Sequence, residues 1–165
     1  MYLHKVKHLI HRDMKPANIL INSEGFVKLT DFGIARALEN PSAFAKTFIG
    51  TNTHLSPERM IGLDYSFASD IWSLGLIVYE MVTGIFPYQS QLNNPILLIN
   101  KILNDPEPTL EEDHYSDELK HFITRCLQKE PKDRDTATEL SVKNKRLLIL
   151  IIFNNFIGSS LDIKI

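Results

Sequence analysis

The sequence predicts a mainly α-helical lobe carrying one short β-hairpin. Three observations lead there. The first is the segment Ser66–Thr83, where Ile71, Trp72, Leu74, Leu76, Ile77, Val78, Met81 and Val82 leave almost no polar face; a helix apolar all round is a buried one. The second is a pair of short apolar runs, Ile19–Ile21 and Phe26–Leu29, joined by Asn22-Ser23-Glu24-Gly25 with turn formers at both ends. The third is a series of later segments that open on good helix caps: Asn94-Pro95, Ser116 and Thr136-x-x-Glu139.

The elements follow in order. Met1–His8 reads as the last turns of a helix. A rigid loop, His11 to Asn18, then runs into Ile19–Ile21, which reads as a buried strand. Pro16 has no N–H and biases Lys15 away from helical backbone. Asp31 to Glu58 is a long irregular connection, and such connections in small domains are usually functional. Ser66 or Ser69 caps the central helix, and Gly84 with Pro87 ends it. A further helix runs from Ile96 to Leu103, and another from Ser116 to Leu127. Asp70 falls near the start of the central helix, where free N–H groups favour a carboxylate.

One lobe fits 165 residues, and 44% hydrophobic residues supply its core. The 18 basic and 20 acidic residues nearly cancel, so neither nucleic acid nor an anionic membrane is indicated as a partner. The single cysteine, Cys126, rules out an intrachain disulfide and suits a reducing, cytoplasmic compartment. Its place among Leu119, Phe122, Ile123 and Leu127 marks a core residue. The central segment, broken by Asp70 and Glu80, is no membrane span.

The loop His11-Arg12-Asp13-Met14-Lys15-Pro16-Ala17-Asn18 holds a carboxylate, a cation and an amide. Phosphoryl transfer needs such a set: a group to orient a hydroxyl, a charge on the transferred phosphate, and an oxygen for Mg²⁺. It fits H-R-D-x-x-x-x-N. Asp31-Phe32-Gly33 and Ser56-Pro57-Glu58 follow at the expected places. The chain therefore resembles the large lobe of a eukaryotic protein kinase, from Tyr2 to about Leu140. The resemblance implies ATP and Mg²⁺ as cofactors, with Asp13 as base, Lys15 on the phosphate, and Asn18 and Asp31 as metal ligands. His11, Phe32 and Gly33 are implied to be structural, as are Asp70, tying its helix to the loop, and a buried Arg134–Glu58 pair.

Met14-Lys15-Pro16 places the resemblance among Ser/Thr-type kinases. Ser56 to Met60, Tyr65-Ser66 and Ser69 to Leu76 are most similar to MAP kinase kinases. That implies Thr and Tyr of a MAP kinase as substrate and an upstream kinase as activator. In the activation segment Thr47 stands where such a kinase is phosphorylated, with Arg12 as the group to pair with the phosphate; an ordinary exposed threonine is the other reading. The first family acceptor falls on Ala43, with Ser42 adjacent. Thr51 matches a threonine that hydrogen-bonds near Asp13 and Lys15. His54 departs from the pattern, which has an aromatic there. It reads as a loop histidine, with pH sensing or metal binding as the alternatives.

Neither the Gly-rich phosphate loop nor the strand lysine of the small lobe occurs in these 165 residues. The domain reading is a partial kinase domain over 1–140 and a non-homologous tail over 141–165. In the tail a basic cluster precedes Leu147–Phe153. Both ends favour a piece of a longer enzyme, the tail reading as translated non-coding sequence or a frameshift. The competing function is a non-catalytic docking module derived from a kinase lobe.

Overall fold

The structure is a computed structural model that describes residues 1–24, 26–32, 53–111 and 114–143. In chain order it has a wide turn at Tyr2–Val6, a 3₁₀ turn at Pro16–Asn18, and strands β1 (Ile19–Ile21) and β2 (Val27–Leu29). Helices α1 (Pro57–Met60), α2 (Phe67–Thr83), α3 (Pro95–Asn104), α4 (Asp117–Cys126) and α5 (Ala137–Lys143) follow.

Helix α2 is the centre. Trp72 and Leu76 are fully buried, and Ile71, Ile77 and Val78 nearly so. Ser66 opens the helix, its N–H donating to Ser69 Oγ at 3.1 Å. Gly84 closes it at φ 72°, a left-handed conformation that glycine adopts without a Cβ penalty. Helix α4 packs along α2 with Leu119, Phe122, Ile123 and Cys126 inward. The two backbones approach closely at Gly75. A Cβ there would stand 2.6 Å from Cys126 Cβ and 2.7 Å from Leu127 Cδ2. Gly75→Ala is accordingly expected to destabilise the lobe by about 1–3 kcal/mol, the usual cost of overpacking. A urea unfolding curve with an unchanged midpoint would contradict this.

The caps form as their spacing predicts. Asn94 and Ser116 accept from Leu97 and Leu119 N–H, and Thr136 and Glu139 exchange side-chain-to-backbone bonds. Helix α5 continues through Leu140 to Lys143.

Three expectations need correction. The first turn bonds Lys7 N–H to Tyr2 O, five residues back, so Met1–His8 is a single wide turn and not the end of a regular helix. The second is the hairpin. It pairs antiparallel with Ile19 opposite Leu29, but neither strand is buried. Leu20 is 55% exposed, and Phe26 lies outside the strand. Two three-residue strands have no second layer on that side among the described residues, so one face stays in solvent. The third is the apolar sweep of α2: Leu74, Met81 and Val82 are only partly buried. Leu74 and Met81 line a largely apolar groove of about 500 Å³ between α2, the hairpin and the first turn.

Candidate active site

The loop from His11 to Asn18 is positioned by a buried acid. Asp70, in the first turn of α2, accepts His11 N–H at 2.7 Å and Arg12 N–H at 3.0 Å. It also accepts His4 Nε2 at 2.7 Å. Asp70 is 5% exposed and His11 fully buried. Arg12 takes a positive φ of 69° just after these two N–H groups. Asp70→Ala is expected to cost about 1–3 kcal/mol for each donor left unpaired. Urea unfolding measures this; a loss below about 0.5 kcal/mol, the range of ordinary surface changes, would contradict it.

His11 carries the link onward. Its Nε2–H donates to Thr30 O at 2.9 Å, and its Nδ1 accepts from Asp13 N–H at 3.4 Å. Thr30 N–H in turn donates to Asn18 O at 3.0 Å, one step beyond the hairpin ladder. The loop and the end of β2 are thereby held side by side.

Three side chains converge on this frame. Lys15 Nζ donates to Asp13 Oδ2 at 2.9 Å, and Asn18 Nδ2 reaches the same oxygen at 3.1 Å and Asp13 O at 2.8 Å. Lys15 itself is extended, φ −159° and ψ 162°, as Pro16 requires. Asn18 is buried, with its amide N–H groups spent on Asp13. Its Oδ1 has no hydrogen bond among the described residues. Asp31 follows Thr30 directly, exposed and at φ 54°. An amide oxygen and a carboxylate are the hard oxygen donors that Mg²⁺ takes. Among the described residues no cluster of three or more His, Cys, Asp or Glu side chains could hold a metal alone.

Phe32, 40% exposed, lies against His11 at 5.1 Å between ring centroids. Arg12 lies 5.8 Å from the Tyr65 ring. Gly33, Ser42, Thr47 and Thr51 lie outside the described residues, as do Ala43 and all of the tail beyond Lys143. Arg134 and Glu58 form a two-pronged ion pair, Nη1 to Oε1 at 2.8 Å and Nη2 to Oε2 at 2.7 Å. Three contacts escaped the sequence reading: His4 on Asp70, Thr30 on the loop, and Ser69 Oγ donating to Glu58 Oε1 at 2.9 Å. None has a local signature, because each joins residues brought together only by folding.

A buried central helix thus anchors, through Asp70, a loop on which a carboxylate, a lysine and an asparagine converge. Residues 1–144 match the family model described as the protein kinase domain, and the chain belongs to the protein kinase family. It is 52% identical over 139 residues to mitogen-activated protein kinase kinase 3 of Arabidopsis thaliana, covering 84% of this chain and 26% of that protein. It is 46% identical over 145 residues to mitogen-activated protein kinase kinase 2 of the same plant, covering 85% and 40%. The serine/threonine-protein kinase hippo of Drosophila melanogaster is 45% identical over 141 residues, covering 85% and 21%. The chain thus spans well under half the length of these relatives. Among the described residues no helix is long and apolar enough to cross a membrane.

Proposed function

We propose that the lobe transfers the γ-phosphoryl group of ATP to Ser, Thr and Tyr hydroxyls of a MAP kinase, as part of a cytoplasmic MAP kinase kinase-type enzyme. The observation that carries this is the convergence of Lys15 and Asn18 on one oxygen of Asp13. Asp13 Oδ2 is committed to those donors, and Oδ1 remains to orient a substrate hydroxyl and take its proton as the new O–P bond forms and the bond to ADP breaks. Lys15, already beside Asp13, neutralises charge on the transferred group. Asn18 Oδ1 and Asp31 would hold Mg²⁺. The bound metal and nucleotide supply an electrophilic phosphoryl group with part of its charge neutralised. The relatives named as MAP kinase kinases support the choice of substrate class. In this reading residues 1–140 are a partial kinase domain and 141–165 a non-homologous tail. Thr47 is the acceptor for an upstream activating kinase, and Ser42 and Thr51 belong to the same activation segment.

The test is radiolabelled ATP with a MAP kinase substrate, using the 165-residue chain and the same chain joined to a small lobe that carries a Gly-rich loop and its lysine. Transfer here depends on positioning and electrostatics, and losing one such donor alone costs about 10²–10³ in rate. The joined protein is expected to be active and the 165-residue chain slower by at least that factor. Absence of transfer from the joined protein would overturn the proposal and leave the docking module as the reading.

A further inference from the structure

Arg12, Asp13 and Lys15 share a small cavity with His54, Leu55 and Ser73. His54 lies in the segment leading into α1, and its ring is almost wholly enclosed, with 11% of the side chain exposed. Its backbone is bolted to the central helix, since Ser73 Oγ–H donates to His54 O at 2.8 Å. Nδ1 lies 3.0 Å from Thr53 Oγ1, and the ring stacks obliquely on Phe86 at 5.2 Å. Nε2 faces Glu80 Oε2 at 3.4 Å, and both atoms are buried with no hydrogen bond among the described residues. The ring therefore stands between two charged neighbourhoods, Glu80 on α2 and the Asp13–Lys15 pair with Arg12 on the loop.

We propose that His54, braced against Glu80, is a positioning residue whose ring walls the Asp13 cavity and leaves Lys15 as the cation paired with Asp13 beside Asn18. A proton placed on His54 is then felt at that pair. The chemistry is direct. An uncharged imidazole has one N–H and one lone pair, so Nε2–H can face the Glu80 carboxylate while Nδ1 accepts from Thr53. An imidazolium in the same place adds a second cation beside Lys15. It would be repelled by Lys15 and drawn to Asp13 and Glu80, which loosens the grip of Lys15 on Asp13. Burial, then the charge of Lys15, push the imidazole down to about 4, against a smaller opposing pull from Asp13. Burial raises the carboxyl of Glu80 above the usual carboxylate range. The unfolded chain binds a proton on His54 near pH 6.5, whereas the folded chain excludes it until about pH 4. In that window His54 makes folding less favourable as pH falls, and Glu80 acts in the opposite direction.

The inference deepens the kinase reading for its consequence, since it assigns His54 to the reacting side of the loop, but the coupling is measurable without nucleotide. The experiment is a histidine ring NMR titration of the 165-residue chain, with the His54 signal assigned by its absence in His54→Tyr. His54 is expected to titrate well below the ordinary imidazole value of 6.5. Lys15→Met should raise its midpoint, and Asp13→Asn should lower it. Glu80→Gln should lower it as well. Each shift is expected to be about half a pH unit or more, the scale on which a neighbouring charge acts. A histidine insulated from the Asp13–Lys15 pair would not follow the loop substitutions. A midpoint near 6.5, or one unmoved by both Lys15→Met and Asp13→Asn, overturns the proposal. Coupling without any phosphoryl transfer would leave it standing and overturn only the kinase reading. Lys15 and Asp13 are partly exposed, so these two variants retain the core, and native-like spectra of each verify that.

Discussion

Arg134→Met is expected to lower the unfolding free energy by about 3–5 kcal/mol, the cost of breaking a buried ion pair from one side. Arg134 is 5% exposed and Glu58 6%. Every guanidinium nitrogen is used: Nη1 and Nη2 on Glu58, the same two atoms on Ala68 O and Lys129 O at 2.9 Å, and Nε on Gln128 O at 2.7 Å. The guanidinium carbon also lies 5.1 Å from the Trp72 ring. Methionine matches the stem in bulk but leaves the Glu58 carboxylate with Ser69 as its side-chain partner among those described. Burial alone would raise the Glu58 carboxyl, but the hydrogen bonds and charge of Arg134 outweigh that and hold it below its ordinary 4.5. A carboxyl lowered on folding stabilises above pH 4.5, and that contribution disappears as pH falls through the lowered value. Urea unfolding of the wild type should therefore show an acid loss of stability that Arg134→Met reduces. Glu58→Gln added to Arg134→Met should restore part of the loss, because the uncompensated charge is then gone. A single-variant loss of about 1 kcal/mol or less, the worth of a surface pair, would contradict the assignment.

Asp13→Asn is expected to reduce phosphoryl transfer by about 10²–10⁴, the usual contribution of a positioned acid–base group. The asparagine oxygen can still accept from Lys15 and Asn18, so the loop keeps its frame, but the amide cannot take the hydroxyl proton. It also removes the negative charge that holds Lys15 at 2.9 Å. The loss should fall on kcat rather than on KM for ATP, because the group acts on the reacting hydroxyl. The assay is label transfer by the protein in which this chain is joined to a nucleotide-covering lobe. Urea unfolding run alongside should show a midpoint close to wild type. A rate within twofold of wild type, an order-of-magnitude margin below the expected effect, would remove Asp13 from the mechanism.

Much of the architecture was legible because its causes are local. The apolar sweep of Ile71–Val82, the stop at Gly84, and the caps at Asn94, Ser116 and Thr136 act within one or two turns of their own residues. The hairpin was legible from its turn residues and paired runs. Its burial was not, because exposure depends on what stands over a strand, and Leu20 has no cover among the described residues. The same applies to Leu74 and Met81, whose apolar side chains marked them as core while the fold left them at the edge of a groove.

The candidate site divides in the same way. The loop carries Asp13, Lys15 and Asn18 within six positions, so a short-range bond pattern brings them together and the motif alone locates them. The partners that hold the loop come from far along the chain. Asp70 is 59 residues from His11, and Arg134 is 76 from Glu58. The first of these placements, and the second, were read from family likeness and not from chemistry. By itself the sequence determined the helices, their ends and the reactive loop, since those rest on hydrogen bonds and packing within a few residues. Only the tertiary structure decided which acid receives the His11 and Arg12 N–H groups and that Thr30 ties loop to hairpin. It also decided that His54 is enclosed between Glu80 and Asp13, because burial and charge at a point are summed over every segment that folding brings there.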